Sequence, residues 1–330
     1  MSLFHSIVAE AFRQYIFMDH ASDMEPTVAK LARQWFEGNR KEGRVQTHDY
    51  PQRVALLQAE ADRFTQYLKA LPTEAWGQPS ACGEWQVQDV VAHLVGVAEF
   101  YADNITRGQQ GDTAPPPGRP PAGSITAAVA AAGVANRAIT MRQQLGDRLL
   151  ATLQSTQSHL HQVLADLPAE ARVIPCYHPG GIVEAQQFID LRLKELAVHE
   201  WDIRSRLSPP AHIALPGLQA IIRLIDQAVA SGSLRWGFSA SDQLPASIRY
   251  RFEVTGAVPY GTDVVVTGDS SRQEAESTAP ADVIFHCDTE TFVLLVYGRL
   301  ELDAARQHGH LTVQGKEELV APFSRWFKGI

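Results

Sequence analysis

Apolar residues recur at three- and four-residue intervals through the middle of the chain, then at alternate positions further on. The first period belongs to helices and the second to half-buried strands. From Pro51, VALLQAEADRFTQYLKAL reads as a helix with one apolar face. A turn-rich stretch, PTEAWGQPSACGE, separates it from WQVQDVVAHLVGVAEFYADNI, whose stripe is Val87, Val90, Val91, Leu94, Val97, Ala98 and Tyr101. Residues 108–124, GQQGDTAPPPGRPPAGS, are a loop by their proline and glycine content. A third helix is predicted over roughly 125–166, interrupted near Gly133 or Gly146. CYHPGG is a turn, and EAQQFIDLRLKELAVHEWDIRSRL is a fourth helix, ended by Ser208-Pro209-Pro210. Four long helices and no strand over 51–208 predict a four-helix bundle, a fold that builds its sites between facing helices.

After Pro210 the pattern changes. LQAIIRLIDQAVASG is a helix, whereas SIRYRFEVTG, TDVVVTGD and ADVIFHCD alternate as strands bounded by Gly, Asp and Pro. TETFVLLVYGRL reads as a helix with Thr289 as N-cap, HLTVQG as a short strand, and KEELVAPFSRWFKGI as a closing helix. Residues 209–330 therefore predict a small α+β domain with a mostly antiparallel sheet. Before the bundle, SIVAEAFRQYIF and TVAKLARQWFEG make residues 1–50 a helical extension, a packing or dimerisation arm or a cap over a site.

Composition narrows the partners. A net charge of -8 and a pI near 5.8 argue against nucleic acid and against an anionic membrane surface. No run approaches the ~18 apolar residues of a membrane span, and the first twenty residues carry charge in every turn, unlike a signal peptide. Three scattered cysteines, Cys82, Cys176 and Cys287, make no disulfide framework and fit a reducing cytoplasm. The expected partners are small molecules, with the chain a monomer or homodimer.

The candidate chemistry lies on the fourth helix, in ELAVHEWDI. Its buried face runs Phe188, Leu191, Glu195, Val198 or His199, and Asp202. Glu195 and His199 thus interrupt an apolar stripe, where a carboxylate is costly unless paired or bound to a cation. Side chains four apart stack one turn above another, which suits two metal ligands. His93 sits at the edge of the apolar stripe of the second helix. His93, Glu195 and His199 would form a two-histidine, one-carboxylate site with an open position, suited to Zn and equally to Fe, Mn or Ni. Each has a plainer reading: His93 as a hydrogen-bonded core histidine, and Glu195 with His199 as a helical pair. Asp202 is either a second partner to an imidazole or a helix-end charge paired with Arg206. Cys82 reads as a structural thiol, His178 as a solvated loop residue or a lining of the mouth, and Trp85 and Trp201 as packing.

PSACGEWQVQDVVAHLVG and RLKELAVHEWDIRSRL together resemble the signature stretches of mycothiol-dependent maleylpyruvate isomerase-like proteins, within the DinB-type superfamily of metal-binding four-helix bundles. The resemblance covers about 51–208, and it implies His93, Glu195 and His199 as metal ligands. ADVIFHCDTETFVLLVYGRL, with HLTVQGKEELVAPFSRWF, resembles a sterol-carrier-like α+β domain, which often follows the bundle in that family. The extension before residue 51 and the proline-rich loop at 111–122 depart from the pattern. The resemblance further implies an arginine from the C-terminal domain at the site, with Arg249, Arg251 and Arg299 as candidates; Asp202, Arg249 and Arg251 are the candidates for a catalytic part.

By the same resemblance, a divalent metal binds mycothiol or another low-molecular-weight thiol as thiolate, which adds to an electrophilic carbon of a small substrate for isomerisation or S-transfer. Two alternatives stay open: a metal-dependent hydrolase on the same scaffold, and a non-enzymatic binder of a small apolar ligand.

Overall fold

The computed structural model describes residues 49–124, 127–232, 246–327 and 329. The predicted extension over 1–50 lies outside the described residues except for its last two, which begin the first helix. Helix α1 (Tyr50–Lys69) starts where the Asp49 carboxylate accepts the Gln52 N–H at 3.0 Å. Capping of this kind satisfies an N–H that the helix leaves unpaired. Helix α2 (Val87–Gln109) begins with the Gln86 N–H donating to Asp89 Oδ2 at 3.0 Å. The predicted third helix is two, α3 (Ala127–Leu145) and α4 (Leu149–Ala165). They part at Gly146, whose φ of +51° lies in the left-handed region. Gly133 lies inside α3.

Helix α5 (Gln187–Leu207) carries ELAVHEWDI and is buried around most of its circumference. A helix enclosed on several sides loses the simple apolar stripe of a surface helix. One side meets the bundle core, where Phe64, Leu68, Val90, Val91, Leu94, Leu153, Leu164 and Phe188 are closed to solvent. Full burial of each such side chain contributes about 1.5–3 kcal/mol. Another side meets α6 (Leu215–Ala230), whose Gly217 faces Ala197 so closely that an added Cβ would collide. Arg223 of α6 and Arg53 of α1 both pair with buried Asp190 of α5, at 2.8 and 2.9 Å. Residues 48–330 form one compact unit. Pro209-Pro210, between α5 and α6, is cis.

The predicted absence of strands in the bundle needs one correction. Pro175–Cys176 (β1) and Val183–Glu184 (β2) pair antiparallel on either side of the predicted turn. They are too short to show an alternating pattern.

The C-terminal part is a five-stranded sheet of order β5-β4-β3-β6-β7, built from β3 (Ile248–Thr255), β4 (Tyr260–Thr267), β5 (Ser270–Ala275), β6 (Val283–Asp288) and β7 (Leu311–Gly315). All neighbours are antiparallel except β3 and β6. One face carries Tyr250, Phe252 and Phe285, which pack with Phe292 of α7 (Thr289–Val296) and Phe323 of α9 (Val320–Trp326). Helix α8 (Leu302–Gln307) lies between. The N-cap of α7 is Asp288, which accepts the Thr291 N–H at 2.7 Å, not the expected Thr289. Thr289 instead bonds the backbone at Thr255 and Val258. Among the described residues no helix is long and apolar enough to cross a membrane.

Candidate metal centre

His93 stands on α2 and Glu195 and His199 one turn apart on α5, and the packing of these helices brings the three together. Glu195 Oε2 lies 3.1 Å from His93 Nε2 and 3.4 Å from His199 Nε2. One donor atom from each of the three lies within 4.8 Å of the others. The two helices are tied beside the site by Arg192, fully buried, whose Nη1 donates to the Leu94 carbonyl at 2.9 Å. Its Nη2 is buried with no hydrogen-bond partner, and burial lowers its pKa to about 10.

Two of the three ligand candidates, Glu195 and His199, are oriented from behind. The other oxygen of Glu195, Oε1, is 2.8 Å from Lys194 Nζ. Burial works to raise the Glu195 pKa, but Lys194 and bonds to His199 and His93 outweigh it and hold the carboxyl well below its usual range. His199 Nδ1 lies 2.9 Å from Asp202 Oδ2. Burial opposes charge on His199, and its bonds to Asp202, Cys82 and Glu195 overcome this and raise its pKa. His93 goes the other way, because burial dominates there. The Trp85 indole flanks both imidazoles, its ring centroid 5.2 Å from His93 and 6.2 Å from His199.

Asp202 is closed to solvent and receives a second cation. Arg299 Nε and Nη2 donate to its two oxygens at 2.8 and 2.9 Å, and Nη2 lies 3.3 Å from Cys82 Sγ. Burial would raise the Asp202 pKa, but the bonds to Arg299 and His199 bring it down to about 2. Arg299 reaches this place from the end of α7, where Gly298, at φ +62°, turns the chain. The Ala81 N–H donates to the Asp202 carbonyl at 2.8 Å, tying the Cys82 turn to α5. Cys82, His199 and Asp202 are also mutually close. The guanidinium already lies on both Asp202 oxygens and on the sulfur, so a second cation does not fit there.

Of the three candidate arginines, Arg299 is the one beside the site. Arg249 and Arg251 lie on β3 and instead pair with buried Asp263 of β4, each at 2.7 Å. Asp202 does not pair with Arg206; its partners are His199 and Arg299. His178 is half-buried, its ring against Tyr101 and Phe188, and its Nδ1 accepts the Gly180 N–H at 3.1 Å. Burial, aided by Lys194, lowers its pKa to about 4, so at neutral pH it is uncharged with its proton on Nε2. Lys194 and Arg192 did not emerge from the sequence. Lys194 is off the Glu195–His199 face by helical spacing, whereas Arg192, three before Glu195 and seven before His199, lies on it; the signal for both is two cations within three residues of a buried carboxylate.

The donor set suits a divalent metal. Two imidazole nitrogens and a carboxylate oxygen converge from two helices, and the Asp202 acceptor at Nδ1 leaves His199 Nε2 as the ring nitrogen that faces Glu195. These features define a helical bundle with a candidate metal centre, joined to a small α+β domain. Residues 57–204 match the family model described as "Mycothiol maleylpyruvate isomerase N-terminal domain", and residues 244–328 match "SCP-2 sterol transfer family". The bundle thus belongs to the mycothiol maleylpyruvate isomerase N-terminal domain family, and the C-terminal part is a sterol-carrier-like domain. An uncharacterized protein of Mycobacterium tuberculosis, in strains CDC 1551 / Oshkosh and H37Rv, is 28% identical over 146 residues. That match spans 44% of this chain and 62% of the relative's length. Two crystal structures of the mycothiol-dependent maleylpyruvate isomerase, one of a single-residue variant, share the fold with TM-scores of 0.53 and 0.55 at 13% identity. Each covers 81% of this chain and 93% of the isomerase chain.

Proposed function

We propose that the protein is a divalent-metal-dependent enzyme that uses a low-molecular-weight thiol to isomerise, or transfer the thiol to, a small electrophilic substrate. The observation that carries this reading is the convergence of His93 Nε2, His199 Nε2 and Glu195 Oε2, at 3.1 and 3.4 Å from the shared oxygen. Zinc is the first choice, because two imidazoles and one carboxylate with an open position are a common catalytic zinc set. A metal held there supplies a Lewis acid that keeps a bound thiol deprotonated at neutral pH.

The chain's own residues do the rest. His93, Glu195 and His199 hold the metal. Asp202 accepts the His199 Nδ1 proton and fixes the tautomer. Arg299 balances the Asp202 charge, so this carboxylate stays ionised and bonded rather than competing as a ligand. Trp85 shields one side of both imidazoles from water. Neutral His178, its Nδ1 accepting the Gly180 N–H, offers an Nε2 proton as a hydrogen-bond donor. The solved relatives are named as a mycothiol-dependent maleylpyruvate isomerase. Mycothiol and a maleylpyruvate-type enone acid are therefore the first thiol and substrate to try. Three unpaired cysteines support a reducing compartment, the cytoplasm.

Isomerisation of maleylpyruvate, followed by absorbance with and without mycothiol, tests the reading. Turnover that needs both zinc and thiol is expected. Turnover that ignores thiol would overturn the thiol-dependent mechanism.

A further inference from the structure

We propose that Lys194 is a positioning residue that restricts Glu195 to one coordinating oxygen. This rests on the metal-centre reading above. The two oxygens of Glu195 have different partners: Oε2 faces His93 and His199, at 3.1 and 3.4 Å, and Oε1 faces Lys194 Nζ at 2.8 Å. The division is built in, because the side chains of Lys194 and Glu195 are 19% and 13% exposed and little water competes for Oε1. Holding a lysine here costs desolvation, which a paired carboxylate offsets. Charge neutralisation alone would be served by either oxygen. The observed geometry assigns the ammonium to Oε1, the other oxygen from the one that faces both imidazoles.

The consequence is metal selection. A carboxylate free at both oxygens binds bidentate, which larger oxygen-preferring cations use to raise their coordination number. With Oε1 occupied by an ammonium, the chain offers two nitrogens and one oxygen. That count matches a four-coordinate ion with one position left for an exogenous ligand. Lys194 thereby favours zinc over manganese and keeps the fourth position open.

The test is cobalt(II) substitution of the full-length protein, read by visible absorption, with chelator competition for zinc and manganese. Wild-type protein is expected to show the intense bands of four-coordinate cobalt. Lys194→Met is expected to weaken them towards a higher-coordinate spectrum and to cut the zinc-over-manganese preference about tenfold, the scale of changes behind a metal ligand. Lys194→Gln is a second neutral variant should the methionine protein fail to fold. Lys194→Arg, which keeps a cationic donor, should restore the wild-type spectrum. Neutral variants that fold and leave spectrum and preference unchanged would overturn the proposal. A wild-type protein that takes up neither cobalt nor zinc would remove the metal centre, and this role with it.

Discussion

At the scale of single residues, the site depends on what stands behind the ligands. Asp202 joins a ligand candidate of the bundle to Arg299 of the C-terminal part, with His199 and Arg299 within 2.9 Å of its oxygens. Asp202→Ala removes the acceptor at His199 Nδ1 and leaves Arg299 buried without its partner. Zinc affinity is expected to fall 10–100-fold, measured by chelator competition, as for other partners of metal-bound imidazoles. Asp202 was legible as polar on a buried face, with an imidazole partner as one of two readings, but its pairing with Arg299 was not. Its decisive partner lies 97 residues away and reaches it through a glycine turn that periodicity does not mark. Arg249 and Arg251 look as available as Arg299 in the sequence. Only the β3–β4 register, which sets Arg251 opposite Asp263, shows where their charges go. Lys194 was illegible because its backbone position points off the face that its ammonium serves.

At the scale of elements, close approach of α5 and α6 holds the ligand helix from outside. Gly217→Val would press a branched side chain against Ala197. Overpacking of this kind typically costs 1–3 kcal/mol, and urea unfolding should show the midpoint falling. Gly298→Val acts elsewhere. A β-branched residue is strained at the φ of +62° that turns the chain after α7. The expected result is a displaced Arg299 and a loss of zinc affinity like that of Asp202→Ala, larger than any loss of helix content by circular dichroism. The bundle helices were legible because their apolar spacing records burial on one side. Strand β5, SSRQEA, was not, because a half-exposed edge strand carries no apolar alternation. The same logic explains β1 and β2, whose pairing is set by the Cys176–Val183 register rather than by composition.

At the scale of the whole molecule, bundle and sheet meet at the Asp202–Arg299 pair, while the sheet has its own charged cluster at Asp263. Burial opposes the charge on Asp263, but bonds from Arg251, Ser277 and Arg249 outweigh it and lower its pKa. The folded value therefore lies below the unfolded one, near 3.9. This contribution to stability is complete at neutral pH and is lost as pH falls through the folded value. Asp263→Asn should lower stability at pH 7 and flatten the acid limb of a stability–pH curve measured by urea unfolding. The order of the two domains was legible from the change of period near Pro210. Their close contact was not, because α6, with its apolar side on α5, reads from sequence as the first helix of the second domain.

The most direct measurement is elemental analysis of purified protein, with wild type and His199→Ala prepared side by side. A metal centre at His93, Glu195 and His199 predicts close to one divalent metal per wild-type chain and its loss from the variant. A wild-type chain that carries no metal and takes up none when zinc is supplied would contradict it.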